Sequence, residues 1–192
     1  MPGGGLQAAV SVIISRMVDD LLTQKPIPDD ARTEADDYWM NLALAQAAQA
    51  AALGEVPVGA VAVLNGAVIG VGFNRKEADL DPMAHAEMIA LRAAATAVQN
   101  WRLIGVTLYC TLEPCPMCAG AMIQARLSRL VYGAKDTRFG ADGSVVQVLR
   151  APEFNHRVAI TSGVLEEEAA ALLQQFFQDL REKRGKAEKR DL

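Results

Sequence analysis

The 192-residue chain is long enough for one domain with a substantial core, and its 51% hydrophobic and 22% charged residues exclude an intrinsically disordered protein. Its net charge of −4 excludes a surface coated in basic residues, so contact with a nucleic acid would depend on a local basic patch and on exposed bases. The apolar runs are too short to span a membrane, and no basic residue precedes the apolar stretch 6–14, so the sequence predicts a cytoplasmic protein without a membrane partner.

The first 35 residues, 1–35, are predicted to form a peripheral extension. Within it a helix is expected over 6–22, followed by a linker rich in helix-breaking residues. The domain itself is expected at 36–180, followed by a basic tail at 181–192 that carries six basic and three acidic residues. The tail has two interpretations, a solvated helix end and an RNA contact, and the sequence does not choose between them.

The first elements of the domain are a predicted helix and a predicted hairpin. An alanine- and leucine-rich segment at about 36–53 predicts a helix that Gly54 closes as a C-cap. Two β-prone runs follow, and the pair Asn65-Gly66 between them is best suited to a type I′ turn. The two strands are predicted at 58–64 and 68–73.

Helices and strands then alternate, which is typical of parallel βαβ units. Asp81 and Pro82 are expected to cap and open a helix that carries His85 and Glu87 and ends near Val98. The other predicted elements are strands at 106–111, 130–134 and 158–161, and helices at 115–125 and 165–184. The predicted fold is therefore α/β, a three-layer α/β/α sandwich with a mixed five-stranded sheet.

Two of the three cysteines, Cys115 and Cys118, have the spacing of a metal-binding or redox pair. They follow a predicted strand and lie in the first turn of a predicted helix, so both sulfurs can reach one ion. The unpaired amides and the positive dipole end of a helix N-terminus favour the thiolate, which is the form that binds zinc. Alone, the pair leaves a zinc site, a redox dithiol and a chance spacing open. The third cysteine, Cys110, is interpreted as a core residue of an apolar strand.

His85 and Glu87 make the pattern more specific. His-Ala-Glu upstream of Pro-Cys-x-x-Cys is the signature of zinc-dependent nucleobase deaminases. One zinc ion held by His85, Cys115 and Cys118 would keep its fourth position for water, and zinc lowers the pKa of such a water from about 15.7 to about 7. We expect Glu87 to take up the water proton and to deliver protons to the ring nitrogen and the leaving amine.

Several longer segments resemble the bacterial tRNA-specific adenosine deaminase family, over roughly residues 38–177. The matching segments are Glu-Val-Pro-Val-Gly-Ala at 55–60, Gly-Phe-Asn-Arg at 72–75, His-Ala-Glu at 85–87, Thr-Leu-Glu-Pro-Cys-Pro-Met-Cys-Ala-Gly-Ala-Met-Ile at 111–123 and Tyr-Gly-Ala-Lys-Asp at 132–136. The resemblance implies a cytidine deaminase-like fold and a homodimer with one zinc ion per subunit. It also implies hydrolytic conversion of adenosine to inosine at wobble position 34, in the anticodon stem-loop of an arginine tRNA. For the site, it implies zinc binding by His85, Cys115 and Cys118, proton transfer by Glu87, and substrate contacts by Asn74 and Asp136.

Three alternatives stay open on the sequence alone. A deaminase of a free base or nucleoside, such as guanine or cytosine, would use the same metal chemistry with a smaller pocket. A zinc-stabilised RNA-binding module without enzymatic activity and a redox dithiol without a metal are the other two. The stretch 136–144 is bulkier after its aspartate than the family pattern, which leaves its RNA contacts open.

Overall fold

The structure, a computed structural model, describes the backbone of residues 31–188 and the side chains of residues 31–183. Its helices are α1 (Asp36–Ala52), α2 (Lys76–Asp79), α3 (Ala86–Ala97), α4 (Pro116–Gln124) and α5 (Glu166–Glu188). Its strands are β1 (Gly59–Leu64), β2 (Ala67–Phe73), β3 (Thr107–Leu112), β4 (Arg129–Ala134) and β5 (Ala159–Thr161). The helix predicted at 6–22 and the end of the basic tail lie outside the described residues. Within 31–188, no helix combines the length and the apolar character needed to cross a bilayer.

The five strands form one mixed sheet in the order β2-β1-β3-β4-β5. β1 pairs antiparallel with β2 across the hairpin and with β3 on its other side. β3, β4 and β5 run parallel, and Leu112 lies opposite Ala134 where β3 and β4 end. The connections that leave the C-terminal ends of parallel strands share one edge of a sheet, where ligand sites commonly form.

Helices cover both faces of this sheet. α3 and α4 pack on one face, together with Ala60 and Ala62 of β1 in the larger core cluster. α1 and the start of α5 cover the other face, against Val61 and Val63 of the same strand. Successive β1 side chains thus enter opposite cores, as the pleat of a strand requires. The predicted three-layer α/β/α sandwich around a mixed five-stranded sheet is confirmed.

The contact between β2 and α3 depends on small residues. A Cβ built on Gly72 would lie 2.2 Å from the carbonyl oxygen of Ala86, and one built on Gly70 would lie 2.5 Å from that of Ala90. The helix presents buried alanines at 86, 90 and 94 toward the sheet. The backbone of α3 therefore lies directly on the strand, and this contact fixes the start of α3 beside the end of β2.

The predicted helix and hairpin at the start of the domain are confirmed. α1 ends in a Schellman motif, in which Gly54 has φ of +78° and the N–H of Glu55 binds the carbonyl oxygen of Ala50. Asn65 and Gly66 have φ of 50° and 73°, as a type I′ turn requires. The later strands and helices also match the prediction apart from their end residues.

The prediction that Asp81 and Pro82 begin the helix carrying His85 was wrong. α3 begins at Ala86, and His85 is its N-cap with extended backbone at φ −76° and ψ 150°. Asp81 instead accepts the N–H of Met83 through Oδ1 at 2.8 Å and closes a turn before the helix. The short helix α2 lies between β2 and this turn, in a segment for which no element was predicted. An aspartate accepts N–H bonds in turns as well as in helix caps, so the local sequence does not separate the two.

A buried ion pair joins the start of α1 to the sheet. The carboxylate of Asp36 accepts hydrogen bonds from Arg129 at 2.9 and 2.8 Å and from the Tyr109 hydroxyl at 2.9 Å. The Asp36 side chain is fully buried, and that of Arg129 is 5% exposed. Burial alone raises the pKa of Asp36, but hydrogen bonds from Arg129, Thr33 and Tyr109 outweigh it and lower the pKa from 3.8 to about 2.

Candidate active site

The N-termini of α3 and α4 meet, and each places a potential metal ligand at its cap position. His85 is the N-cap of α3 and Cys115 is the N-cap of α4, both with extended backbone. Pro116 opens α4, where its fixed φ suits the helix and its missing N–H is not required. Cys118 follows three positions after Cys115 in the first turn, so both sulfurs lie on the same side of the helix.

The structure brings the three predicted ligands together. The Nδ1 atom of His85 lies 3.7 Å from the Sγ atom of Cys115 and 3.6 Å from the Sγ atom of Cys118. Among the described residues, these are the one group of three or more His, Cys, Asp and Glu side chains whose ligand atoms converge, all within 4.8 Å of one another. Cys118 is fully buried, whereas His85 and Cys115 are half-buried. One imidazole and two sulfurs in this arrangement can hold a metal ion.

The charges in this cluster favour a thiolate at Cys115. A hydrogen bond from Cys118 lowers the pKa of Cys115 from 9.0 to about 4, helped by His85 and opposed by burial. The same contact raises the pKa of Cys118, because its proton is shared with the neighbouring thiolate. The hydrogen bond to Cys115 also raises the pKa of His85. Negative charge at the sulfurs is the state that a bound cation needs.

Glu87 lies beside the three ligands but is not one of them. It is in the first turn of α3, two residues after His85, and is only 4% exposed. Burial raises the pKa of its carboxyl group, against the charge of His85. Cys110 of β3 is fully buried in the core, as predicted, and both burial and the nearby Glu87 raise the pKa of its thiol. A carboxyl group shielded from bulk water thus faces the cluster.

Asn74, the first predicted substrate contact, directly follows β2 and is 5% exposed. Its backbone N–H binds the carbonyl oxygen of Val58 at 3.0 Å. The next residue, Arg75, donates its N–H to Ala84 at 3.0 Å, which brings this segment against the residue before His85. The Asn74 side chain donates from Nδ2 to Glu55 at 3.3 Å. Asn74 is therefore held close to the start of α3.

Asp136, the second predicted substrate contact, opens the turn after β4 and is half-buried. Its Oδ1 atom accepts the backbone N–H groups of Arg138 at 2.8 Å and Phe139 at 3.2 Å. Its own N–H binds Glu113, a residue 2% exposed that also accepts the N–H of Asp142 at 2.8 Å. The structure thus gives Asp136 a turn-forming contact and attaches the turn to the segment before Cys115.

Two buried carboxylates near the site, Glu55 and Glu113, had no predicted role. Both lie within segments that match the family pattern, and each lies close to a residue with a predicted role. Glu55 follows the C-cap glycine of α1, and Glu113 lies two residues before Cys115. A glutamate bounded by apolar residues and proline is a signal for a buried carboxylate, because such a residue needs several donors.

The chain is similar to known deaminases in sequence and in structure. The sequence model of the MafB19-like deaminase family matches residues 34–181. A tRNA-specific adenosine deaminase of Bacillus subtilis is 45% identical over 154 residues, which cover 80% of this chain and 96% of the relative. The protein of the same description from Haemophilus influenzae is 50% identical over 154 residues, with 80% and 89% covered. A solved structure from a study of A-to-I editing by tRNA:A34 deaminases superposes with a TM-score of 0.69 at 45% identity, over 71% of this chain and 99% of its own.

Proposed function

Because the chain belongs to the tRNA-specific adenosine deaminase family, we propose that it hydrolyses adenosine to inosine at wobble position 34 of a tRNA. The observation that carries this proposal is the convergence of His85, Cys115 and Cys118 beside the buried Glu87. Metal ligands and a shielded carboxyl group are the two components that hydrolytic deamination of a base requires.

The proposed metal is zinc, one ion per subunit, bound by His85, Cys115 and Cys118. In a tetrahedral zinc site, Zn–S bonds of about 2.3 Å and Zn–N bonds of about 2.0–2.1 Å place the nitrogen and sulfur atoms about 3.6 Å apart. The distances from His85 Nδ1 to the two sulfurs, 3.7 and 3.6 Å, fit that value. Three protein ligands leave the fourth position for water, which is typical of catalytic sites. When bound, zinc lowers the pKa of water toward neutrality and so supplies the nucleophile.

Glu87 is the proposed proton carrier. The reaction replaces the 6-amino group of adenine by the oxygen of water and releases ammonia, so protons must pass from water to the ring nitrogen and to the leaving amine. Glu87 lies in the first turn of the helix that His85 caps, and its 4% exposure keeps bulk water away from its carboxyl group. One carboxylate in this place can serve both transfers in turn.

Asn74 and Asp136 are the proposed substrate contacts. Asn74 is held beside the start of α3. The two turn hydrogen bonds of Asp136 both engage Oδ1, and among the described residues none engages Oδ2, so that oxygen is proposed to accept from a substrate donor. The target base must leave the stack of the anticodon loop to reach them. This costs less than leaving a duplex, because loop bases are already partly free.

The proposal extends to the assembly and its setting. We propose a cytoplasmic homodimer that acts on the anticodon stem-loop of an arginine tRNA, on the support of family membership. We also propose the division into an extension at 1–35, a deaminase domain at 36–180 and a basic tail at 181–192. The family match at 34–181 supports the middle part of this division.

The experiment that tests the function compares the full chain with a Glu87→Ala variant. Wild type, purified without chelators, is expected to hold one zinc ion per subunit and to form inosine on an anticodon stem-loop with adenosine at position 34. Glu87→Ala should keep its zinc and its melting temperature but lose turnover by roughly 10²–10⁴-fold, the usual contribution of general acid–base catalysis. The matched control is Glu77→Ala, which removes an exposed glutamate from α2 and should leave turnover unchanged.

Each alternative has a distinct result in the same experiment. Preferred turnover of free guanine, cytosine or adenosine would replace the tRNA substrate by a free base or nucleoside. Binding of the stem-loop with zinc, but without turnover in either protein, would indicate an RNA-binding module. Reversible formation of a Cys115–Cys118 disulfide without metal uptake would indicate a redox dithiol and would overturn the proposal.

A further inference from the structure

Glu55 is a charged side chain in the protein interior with no part in the reaction described above. The Schellman motif at the end of α1 turns the chain inward at this residue, which is 1% exposed. Its Oε2 atom accepts the Nδ2 hydrogen bond of Asn74 at 3.3 Å, and its Oε1 atom accepts the backbone N–H of Ala78 at 2.8 Å. The carboxylate thus binds the proposed substrate contact and the helix α2 that follows it.

The contact with Glu55 determines the orientation of the Asn74 amide. A carboxylate only accepts hydrogen bonds, so Asn74 must direct its NH₂ group toward Glu55. The flipped amide would set Oδ1 against a carboxylate oxygen in a buried place, where two acceptors repel and the hydrogen bond is lost. Among the described residues, no hydrogen bond reaches Asn74 Oδ1. That acceptor therefore points away from Glu55 in one fixed direction.

The second contact of Glu55 restrains the backbone on the way to the metal ligands. Ala78 belongs to α2 (Lys76–Asp79), which connects Asn74 to the turn before His85. The N–H of Arg75 binds the carbonyl oxygen of Ala84, so the two ends of this connection lie together. Because Glu55 holds both the side chain of Asn74 and the middle of the connection, the segment has little freedom to move relative to α3.

We propose that Glu55 is a positioning residue that presents the Oδ1 atom of Asn74, as a hydrogen-bond acceptor, to a donor group of the bound nucleoside. This inference rests on the proposed function, and it deepens that function by assigning a residue that acts on the substrate through Asn74. In this proposal Glu55 does not contact the substrate, and it contributes to substrate specificity by orienting the side-chain amide of Asn74.

The deciding test is a double-mutant cycle between Glu55 and Asn74. Glu55→Gln keeps the size and one acceptor for Ala78, but it can also donate, so the Asn74 amide is free to flip. We expect KM for the stem-loop to rise by about 5- to 10-fold, the equivalent of one hydrogen bond, with a smaller change in kcat. In an Asn74→Ala background the same substitution should change KM by less than about twofold.

The matched control is Glu113→Gln, which neutralises an equally buried glutamate that does not contact Asn74. Its effect on KM should be the same in both backgrounds, because it does not act through Asn74. If Glu55→Gln changed KM equally in the wild-type and Asn74→Ala backgrounds, Glu55 would have a structural role only, and the proposal would be overturned.

Two further measurements separate this proposal from the proposed function and from a folding failure. The ¹⁵N side-chain signal of Asn74, identified by its loss in Asn74→Ala, should shift in Glu55→Gln and stay in place in Glu113→Gln, whether or not tRNA is a substrate. If Glu55→Gln does not fold, the swapped pair Glu55→Gln/Asn74→Asp restores a donor and an acceptor and should be more stable than Asn74→Asp alone. An unshifted Asn74 signal in Glu55→Gln, or a swapped pair that is no more stable than Asn74→Asp alone, contradicts the inference.

Discussion

Replacing Gly72 by alanine should separate α3 from the sheet and displace the first residues of the helix. The added Cβ would lie 2.2 Å from the carbonyl oxygen of Ala86 and 2.8 Å from the nitrogen of Ala90. Both are backbone atoms that cannot rotate away. Real Cβ atoms essentially never approach a heavy atom within 3.0 Å, so the helix must retreat by about 0.8 Å at Ala86.

The expected losses of stability, turnover and metal binding follow from the position of Ala86, which lies between His85 and Glu87. Forcing one methyl group into a packed interface costs about 1–3 kcal/mol of unfolding free energy. A displacement near 1 Å in a catalytic group can lower turnover by about 10²-fold. Displacing His85, the proposed imidazole ligand, should also weaken metal binding by at least about tenfold, a typical effect of disturbing the support of a ligand.

The assay combines urea unfolding, zinc competition with a chelator and inosine formation by the Gly72→Ala variant. Gly120→Ala is the matched control, because it adds the same methyl group within α4, two residues from Cys118. Apart from the adjacent residues and the backbone of α4 itself, no described atom lies within 4 Å of the new Cβ. Alanine in a helix interior should stabilise this control by about 0.5–1 kcal/mol and leave zinc affinity unchanged. Wild-type zinc affinity and stability in Gly72→Ala would refute the argument that close packing fixes the start of α3.

Two further predictions concern buried carboxylates. Asp36→Asn should lower the unfolding free energy at neutral pH by about 3–5 kcal/mol, because it leaves the buried Arg129 without a counter-charge. The folded-state pKa of Asp36 lies below its ordinary value, so the ion pair stabilises the wild type fully above pH 3.8 and less as the pH falls toward 2. Urea unfolding across this range should show that the stability difference between variant and wild type shrinks on acidification, and a constant difference would contradict the assignment. Glu113→Gln should lower the free energy of unfolding by about 1–3 kcal/mol, because its NH₂ group would face backbone N–H groups that the carboxylate now accepts, including that of Ser144. Amide hydrogen exchange in 136–144 should become faster for the same reason. Unchanged exchange there would show that the turn does not depend on Glu113.

Sequence patterns predicted the elements and the pairing of Cys115 with Cys118 because both depend on local chemistry. The alanine- and leucine-rich segment, the β-prone runs and the Asn65-Gly66 turn depend on residues close together in the sequence, and the structure confirms the elements that they predict. Cys115 and Cys118 share one helical turn, so their spacing alone indicates that they can bind together. His85 is 30 residues from Cys115, and its pairing with the two cysteines was inferable only as a known combination. The deaminase signature therefore predicted the contact that the spacing alone did not.

The contacts that escaped prediction join side chains to residues far away in the sequence. Glu55 binds Asn74 across 19 residues, and Glu113 binds the N–H of Asp142 across 29. A glutamate can reach any donor within several ångströms, so its partner is set by the fold and not by its neighbours in the chain. Burial makes these hydrogen bonds important for stability, because a carboxylate in the interior needs donors on each oxygen.

The start of α3 was predicted wrongly for the same reason, because it depends on a contact with a residue far away in the sequence. Asp81 and Pro82 have the residue types of a favourable local cap, yet the helix begins four residues after Pro82, at Ala86. Because Gly72 has no side chain, the backbone of the helix can pack directly against β2 at Ala86. A helix begun at Pro82 would also have placed His85 inside a turn, whereas the extended backbone of an N-cap directs its ring toward the sulfurs of α4. Packing against β2 therefore outweighs a capping preference worth about 1 kcal/mol, and it leaves His85, a proposed metal ligand, at the N-cap of α3.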